Sequence, residues 1–288
     1  MTTPAPVLAR AQAMLEVGRP QEALAALGTL AADDVLGPAA LRLRCAALAQ
    51  LDRWPEAGEA ARVGLSAHGP DSDLLYWLAC AEQHSGHPEL AERVLLDGLA
   101  LAPHDTDLLC AYADLCASEG QVEKAKKLID LAAAQEPDAP LVYATRVKVA
   151  YARGEDREAQ RISREFVAAY PANPFANALL GGVNAARGEV GAAYASFRRA
   201  VAEDPTKGAY AESALDMRIA GHPLMVPLRP IMRFGALKVW LVAIGLIFGL
   251  RVLGQPWLSF PVALLWLAYC VYSWVVPPLV RWWVRRHW

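Results

Sequence analysis

The chain has 288 residues and no aspartate or glutamate after Asp216. All 30 acidic residues precede that point. Seven of the 28 basic residues lie in 223–288: Arg229, Arg233, Lys238, Arg251, Arg281, Arg285 and Arg286. The formal net charge of −2 therefore averages an acidic body and a basic end. An acidic body argues against nucleic acid as a ligand. Cysteine is scarce, at five residues, an odd number in helical contexts, which excludes a disulfide framework and fits packed, reduced thiols. No glycine-rich phosphate loop, dinucleotide motif or nucleophile elbow is present, so we assign no catalytic residue, no cofactor and no enzymatic class. His84 and His87 lie near Glu82 and Glu89 but match no metal-ligand spacing, and no metal is expected. The start, Met1 to Arg10, lacks an apolar run of signal-peptide length.

One alanine recurs every 34 residues, at Ala23, Ala57, Ala91, Ala125, Ala159 and Ala193. A glycine precedes it at Gly18, Gly86, Gly120, Gly154 and Gly188, with Asp52 as the exception. A proline follows at Pro103, Pro137, Pro171 and Pro205. Units numbered 1 to 34 begin at Pro4, Pro38, Ser72, Thr106, Pro140 and Pro174, all residue types that start helices well. Each unit holds two apolar-periodic stretches, such as Leu108–Ser118 and Val122–Ala134, joined by a turn. Position 8 is Ala11, Cys45, Ala79, Ala113, Val147 and Gly181. With the alanine at position 20 it lets the two helices approach closely. No unit can bury its apolar face alone, so neighbours stack, and Ala209–Ala220 (209–220) reads as a capping helix.

Period, small positions and closing proline resemble the tetratricopeptide repeat family. The resemblance covers residues 4–207. It departs at position 4, where Val7, Leu41, Leu75, Leu109, Tyr143 and Asn177 replace the usual tryptophan. Position 27, small in the family, holds Leu30, Gly64, Gly98, Ala132, Phe166 and Ala200. The resemblance implies an all-α helical-hairpin solenoid over 1–222, with about six repeats and the cap. It also implies a concave partner-binding groove lined by Arg42, Asp73, Tyr76, Gln83, His84, Asp107, Asp114, Lys148, Tyr151 and Phe175. The Lys/Asn carboxylate clamp of some members is absent, since Leu8, Gln12, Arg42 and Ala46 occupy those places.

The end of the chain has another chemistry. Residues 223–233 read as a basic juxtamembrane linker, 234–253 and 257–276 as two transmembrane helices, and 277–288 as a basic, aromatic interfacial tail. Twenty residues of helix reach roughly 30 Å, one hydrocarbon thickness. Seven of the nine tryptophans fall between Trp240 and Trp288. The expected interface residues are Arg229, Arg233, Lys238, Trp240, Trp257, Trp274, Arg281, Trp282, Trp283, Arg285 and Arg286, in contact with a bilayer carrying anionic lipid. Basic residues flank both outer ends, and only Arg251 marks the connection. Both termini and the repeats are then expected in the cytoplasm of a bacterial inner membrane. Gly245 and Gly249 form a GxxxG pair, expected to pack on the second helix of its own hairpin, with a homo-oligomer as the alternative. The expected function is a membrane-anchored adaptor that binds a protein or peptide. The alternative is a non-catalytic subunit of a membrane transport, secretion or envelope-assembly complex.

Overall fold

A computed structural model describes residues 4–228, 231, 235–252 and 256–286. Among these residues the regular elements are all helices. They are α1 (Pro4–Glu16), α2 (Pro20–Leu27), α3 (Ala32–Val35), α4 (Pro38–Gln50), α5 (Trp54–His68), α6 (Ser72–His84), α7 (Pro88–Leu101), α8 (Thr106–Ser118), α9 (Val122–Gln135), α10 (Pro140–Ala152), α11 (Asp156–Ala169), α12 (Pro174–Ala186), α13 (Val190–Glu203) and α14 (Gly208–Ala220). A 3-10 segment (Pro223–Leu228), α15 (Ala236–Val252) and α16 (Pro256–Arg286) follow. The chain divides into two compact units, Met1–Leu180 and Gly181–Trp288, with the division inside α12. Composition alone placed a boundary at 222. Within the second unit α14 packs on α13 and on α16. The expected bounds of the first span, Phe234 and Leu253, lie outside the described residues, as do Gly254 and Gln255 of the connection.

The 34-residue period is written into the turns. Gly18, Gly86, Gly120, Gly154 and Gly188 have φ of 72° to 80°, and Asp52 takes the same left-handed region at 56°. Aspartate tolerates that region better than most residues with a side chain. At all six turns the next residue's N–H reaches back five residues: Arg19 to Met14, Arg53 to Leu48, His87 to Glu82, Gln121 to Cys116, Glu155 to Ala150 and Glu189 to Asn184. The distances are 2.8 to 2.9 Å. This bond uses carbonyls that the helix end would otherwise leave unsatisfied. Helix starts add side-chain caps, with Asp71 accepting from Leu74 N–H and Asp105 from Leu108 N–H, both at 3.0 Å.

In the first unit the position-20 alanines and the position-8 residues Ala11, Cys45, Ala79, Ala113 and Val147 are buried. Neighbouring repeats meet through a second pair, position 27 of one repeat and position 3 of the next. A Cβ added to Gly64 would stand 2.6 Å from Leu74, and one added to Gly98 2.9 Å from Leu108. Large and small exchange places along the series. Leu30 packs in one cluster with Ala40, Ala132 shares a core with Val142, and Phe166 and Ala176 are both fully buried. The departures Leu30 and Phe166 at a normally small position are thus matched by alanine ten residues later.

In the second unit Gly181 makes room for Phe197, whose ring would stand 2.9 Å from an added Cβ. Ala200 is matched by the buried Tyr210 of α14. Next, Ile219, Met225 and Leu228 form a core with Val276, Val280 and Val284 of α16. The linker expected at 223–233 is therefore, over 223–228, a packed and uncharged element. In 3-10 geometry a carbonyl bonds the N–H three residues on. For Leu224 that residue is Pro227, which has no N–H, and Pro227 lies in the last turn, where carbonyls have no partner within the segment. Two tyrosines replace the missing donors: Tyr272 OH donates to the Leu224 carbonyl at 2.7 Å, and Tyr269 OH to the Pro227 carbonyl at 2.8 Å. α16 continues through Pro277 and Pro278 to Arg286, so no break separates the expected span from the expected tail. Burial of Val276, Val280 and Val284 at i, i+4, i+8 spacing holds the helix across the lost hydrogen bonds.

The volume exchange is testable by a double-mutant cycle. Gly98→Leu should destabilise by about 1–3 kcal/mol through overpacking. Leu108→Ala should cost about 2–5 kcal/mol through a cavity. The double variant should lose less than the sum by at least about 0.5 kcal/mol in denaturant unfolding. Strict additivity would contradict the pairing.

Candidate functional site

The first helices α4, α6, α8 and α10 pack on one another in sequence, so one position in each repeat recurs on a shared face. Those helices carry most of the sequence-predicted groove residues, and the structure joins several of them across repeats. Arg42 pairs with Asp71 at 2.5 Å and with Asp73 at 2.9 Å. Lys148 pairs with Asp114, its equivalent one repeat earlier, at 2.8 Å. Asp107 has no cationic partner among the described residues. Its surroundings hold its carboxyl above the ordinary 3.8, first through the protein packed around it and then through Asp105, Glu136 and Asp73.

Tyr76 lies half-buried beside this charged row, edge-on to Trp77 at 5.0 Å. Burial pushes its hydroxyl well above the usual tyrosine range. The thiols of Cys80 and Cys110 are pushed up to about 12, again mainly by burial, and so stay neutral. The face thus carries neutral side chains between the Arg42–Asp73 and Lys148–Asp114 pairs, with Asp107 lacking a cationic partner among the described residues. Tyr151 is half-buried, and Phe175 is exposed with its ring edge toward Phe166 at 6.3 Å.

Gln83, His84 and Asp114 come together on an open cleft of about 500 Å³, joined by Ser118 and Glu119. Ser118 was not singled out from sequence, although it holds the same repeat position as His84. His84 stacks on Trp54 at 3.8 Å with the rings 10° apart, and its Nδ1 donates to the Cys80 carbonyl at 2.8 Å. Glu82 is buried and pairs with Arg62 and, at 2.9 Å, with His87. Glu82 and His87 are thus partners of each other, while His84 is engaged by Trp54 and the Cys80 carbonyl.

At the other end of the chain Lys238 and Trp240 are exposed on α15, and Trp274, Arg281, Trp282, Arg285 and Arg286 on α16. Arg286 lies over the Trp282 ring, 5.2 Å from its centroid. Trp283 meets His222 edge-on at 5.6 Å. Arg229, Arg233, Trp288 and the side chains of Arg251 and Trp257 lie outside the described residues. Among the described residues, a Cβ on Gly245 or Gly249 would meet nothing within 4 Å. Among the described residues one helix, Phe260–Arg286, is long and apolar enough to cross a membrane.

Residues 83–149 match the tetratricopeptide repeat family. The fold is the all-α helical-hairpin solenoid found in tetratricopeptide repeat proteins. A tetratricopeptide repeat protein from Parabacteroides merdae is 15% identical over 75% of this chain and 84% of its own, with a TM-score of 0.60. A thermophilic repeat protein of Thermus thermophilus is 18% identical over 62% of this chain and 100% of its own, with a TM-score of 0.56. Human IFIT1, in a dimer with PPP-AAAA, is 17% identical over 99% of this chain and 73% of its own, with a TM-score of 0.64. At these identities the likeness is one of fold. No curated protein matches the chain in sequence.

The perturbed carboxyl gives a pH prediction. The folded chain holds the Asp107 proton more tightly than the unfolded chain. Asp107 thus favours the fold fully below about pH 3.8, and that contribution is lost as pH rises through its folded value. Asp107 is exposed, which screens the effect, so Asp107→Asn should melt only slightly higher than the parent near neutral pH and equally below about pH 3.8. Equal melting temperatures at neutral pH would contradict this.

Proposed function

We propose that this protein is a non-catalytic, membrane-anchored adaptor whose repeat face holds a protein or peptide segment. The observation that carries the reading is the pairing of two surfaces in one chain. One is a repeat face with recessed aromatic residues among matched charges. The other is a helix whose large apolar side chains face outward, with Phe260, Leu265 and Trp274 at 73%, 70% and 83% exposure. An apolar surface of that kind is stable in lipid and costly in water. Arg281, Arg285 and Arg286 follow at its end without an acidic partner among the described residues, where they would meet anionic headgroups. This supports a cytoplasmic placement of the repeats by the positive-inside rule. Anchoring confines the adaptor to the surface where its partners sit, raising their effective concentration.

The groove residues proposed to read the segment are Arg42, Asp73, Tyr76, Gln83, His84, Asp107, Asp114, Lys148, Tyr151 and Phe175. Aromatic residues in recessed positions supply most of the energy in such contacts. The chain should stay in the membrane pellet through an alkaline carbonate wash. A photocrosslinker at Tyr151 should capture a discrete partner, and Tyr76→Ala should lower that capture about tenfold. Release by carbonate would remove the anchor, and capture unaffected by Tyr76→Ala would remove the groove.

The open face at Gly245 and Gly249 favours a second reading, in which α15 packs on another membrane helix, of a second copy or of a transport, secretion or envelope-assembly complex. Gly245→Leu with Gly249→Leu should then reduce the particle size in mild detergent, and an unchanged size would reject it.

A further inference from the structure

We propose that the 3-10 segment Pro223–Leu228 is itself a membrane contact, seated against α16 in the headgroup and acyl boundary of the leaflet that α16 enters. This rests on the membrane-anchored reading and adds a lipid-binding surface outside both expected spans. Four features meet here. First, Pro-Leu-Met-Val-Pro-Leu carries no charge and no polar side chain. Second, its inward side chains, Met225 and Leu228, are buried against α16, whereas Leu224 and Val226 remain 43% and 45% exposed. Third, two carbonyls without a partner in the segment, Leu224 opposite Pro227 and Pro227 in the last turn, are both satisfied, by Tyr272 and Tyr269. In water those carbonyls could bond solvent at little cost. In lipid each would cost several kcal/mol unless the protein supplied the donor. Fourth, the donors fix the level of the segment on α16.

That level can be placed by arithmetic. Trp274 is the most exposed ring on α16 and stands at interface height if the helix crosses from Pro256. Tyr272 and Tyr269 lie two and five residues deeper, about 3 and 8 Å along the axis. An apolar element lying in the membrane surface inserts about 5–10 Å into the same boundary. Covering Val276, Val280 and Val284 on the other side of that level, Ile219 of α14 ties the last helix after the repeats to the emerging end of α16. Leu224 and Val226 then face acyl chains, the occupant that an uncharged, proline-kinked surface at this height can accept.

The test uses the full chain reconstituted in phosphatidylcholine vesicles. Leu224→Cys and Val226→Cys each receive an environment-sensitive fluorophore, with Glu212→Cys on α14 as the aqueous control and Trp274→Cys as the anchor control. The signal of the labelled parent chain is subtracted. Quenching by acyl-chain nitroxide should be at least about threefold stronger at 224 and 226 than at 212, and aqueous iodide should show the reverse order. If 224 and 226 behave as 212 does while 274 is quenched from the lipid, the segment is in water and this inference is wrong. If 274 also escapes lipid quenching, the anchor itself fails. Leu224 and Val226 are both surface positions, so two independent labels guard against one misfolded variant.

Discussion

Every junction between repeats must hold two helices at close range while filling one fixed volume, and the rest of the solenoid follows from how that volume is shared. Position 27 of one repeat and position 3 of the next hold one large and one small residue. Gly64 and Gly98 admit Leu74 and Leu108, while Phe166 faces a repeat that begins with Ala176. A protein interior packs at near-crystalline density, so a methylene added on one side must be removed from the other. The alanine at position 20 keeps each helix pair tight, and the exchange pair keeps neighbouring pairs tight. With the first helices held side by side, their outward positions form a row of side chains that the junctions do not use for packing.

Period, turn residues and small positions were legible in the sequence because each is a local rule repeated six times. The exception Asp52 was visible as an exception, and the backbone explains it. The rest depended on partners distant in sequence. Leu30 and Phe166 read as departures until the residue ten positions on was placed beside them. Arg42 and Lys148 read as free groove charges, but pairing with Asp73 and Asp114 leaves Asp107 without a counter-ion among the described residues. The boundary between span and tail expected at 276/277 falls at Pro277-Pro278, inside one continuous helix. The helix survives because its valine face is buried, a contact that no local pattern announces.

The least legible part was the segment after the capping helix. From charge and length, 223–233 looked like a tether. Its first half is instead docked on α16 by two tyrosine hydroxyls and a shared apolar core. Docking of this kind joins α14 to α16 without a free linker. In the proposed function it limits how far the end of the solenoid can swing from the bilayer, which narrows the partners it can meet to those near the membrane surface.

The central claim is that the repeats face the cytoplasm while α16 holds the chain in the membrane. Protease protection of the tagged full chain tests it most directly. In intact spheroplasts the repeats should resist added protease. In inverted vesicles they should be digested while a fragment containing α16 stays with the membrane. Digestion of the repeats from the outside, or their recovery in the soluble fraction without protease, would contradict the account.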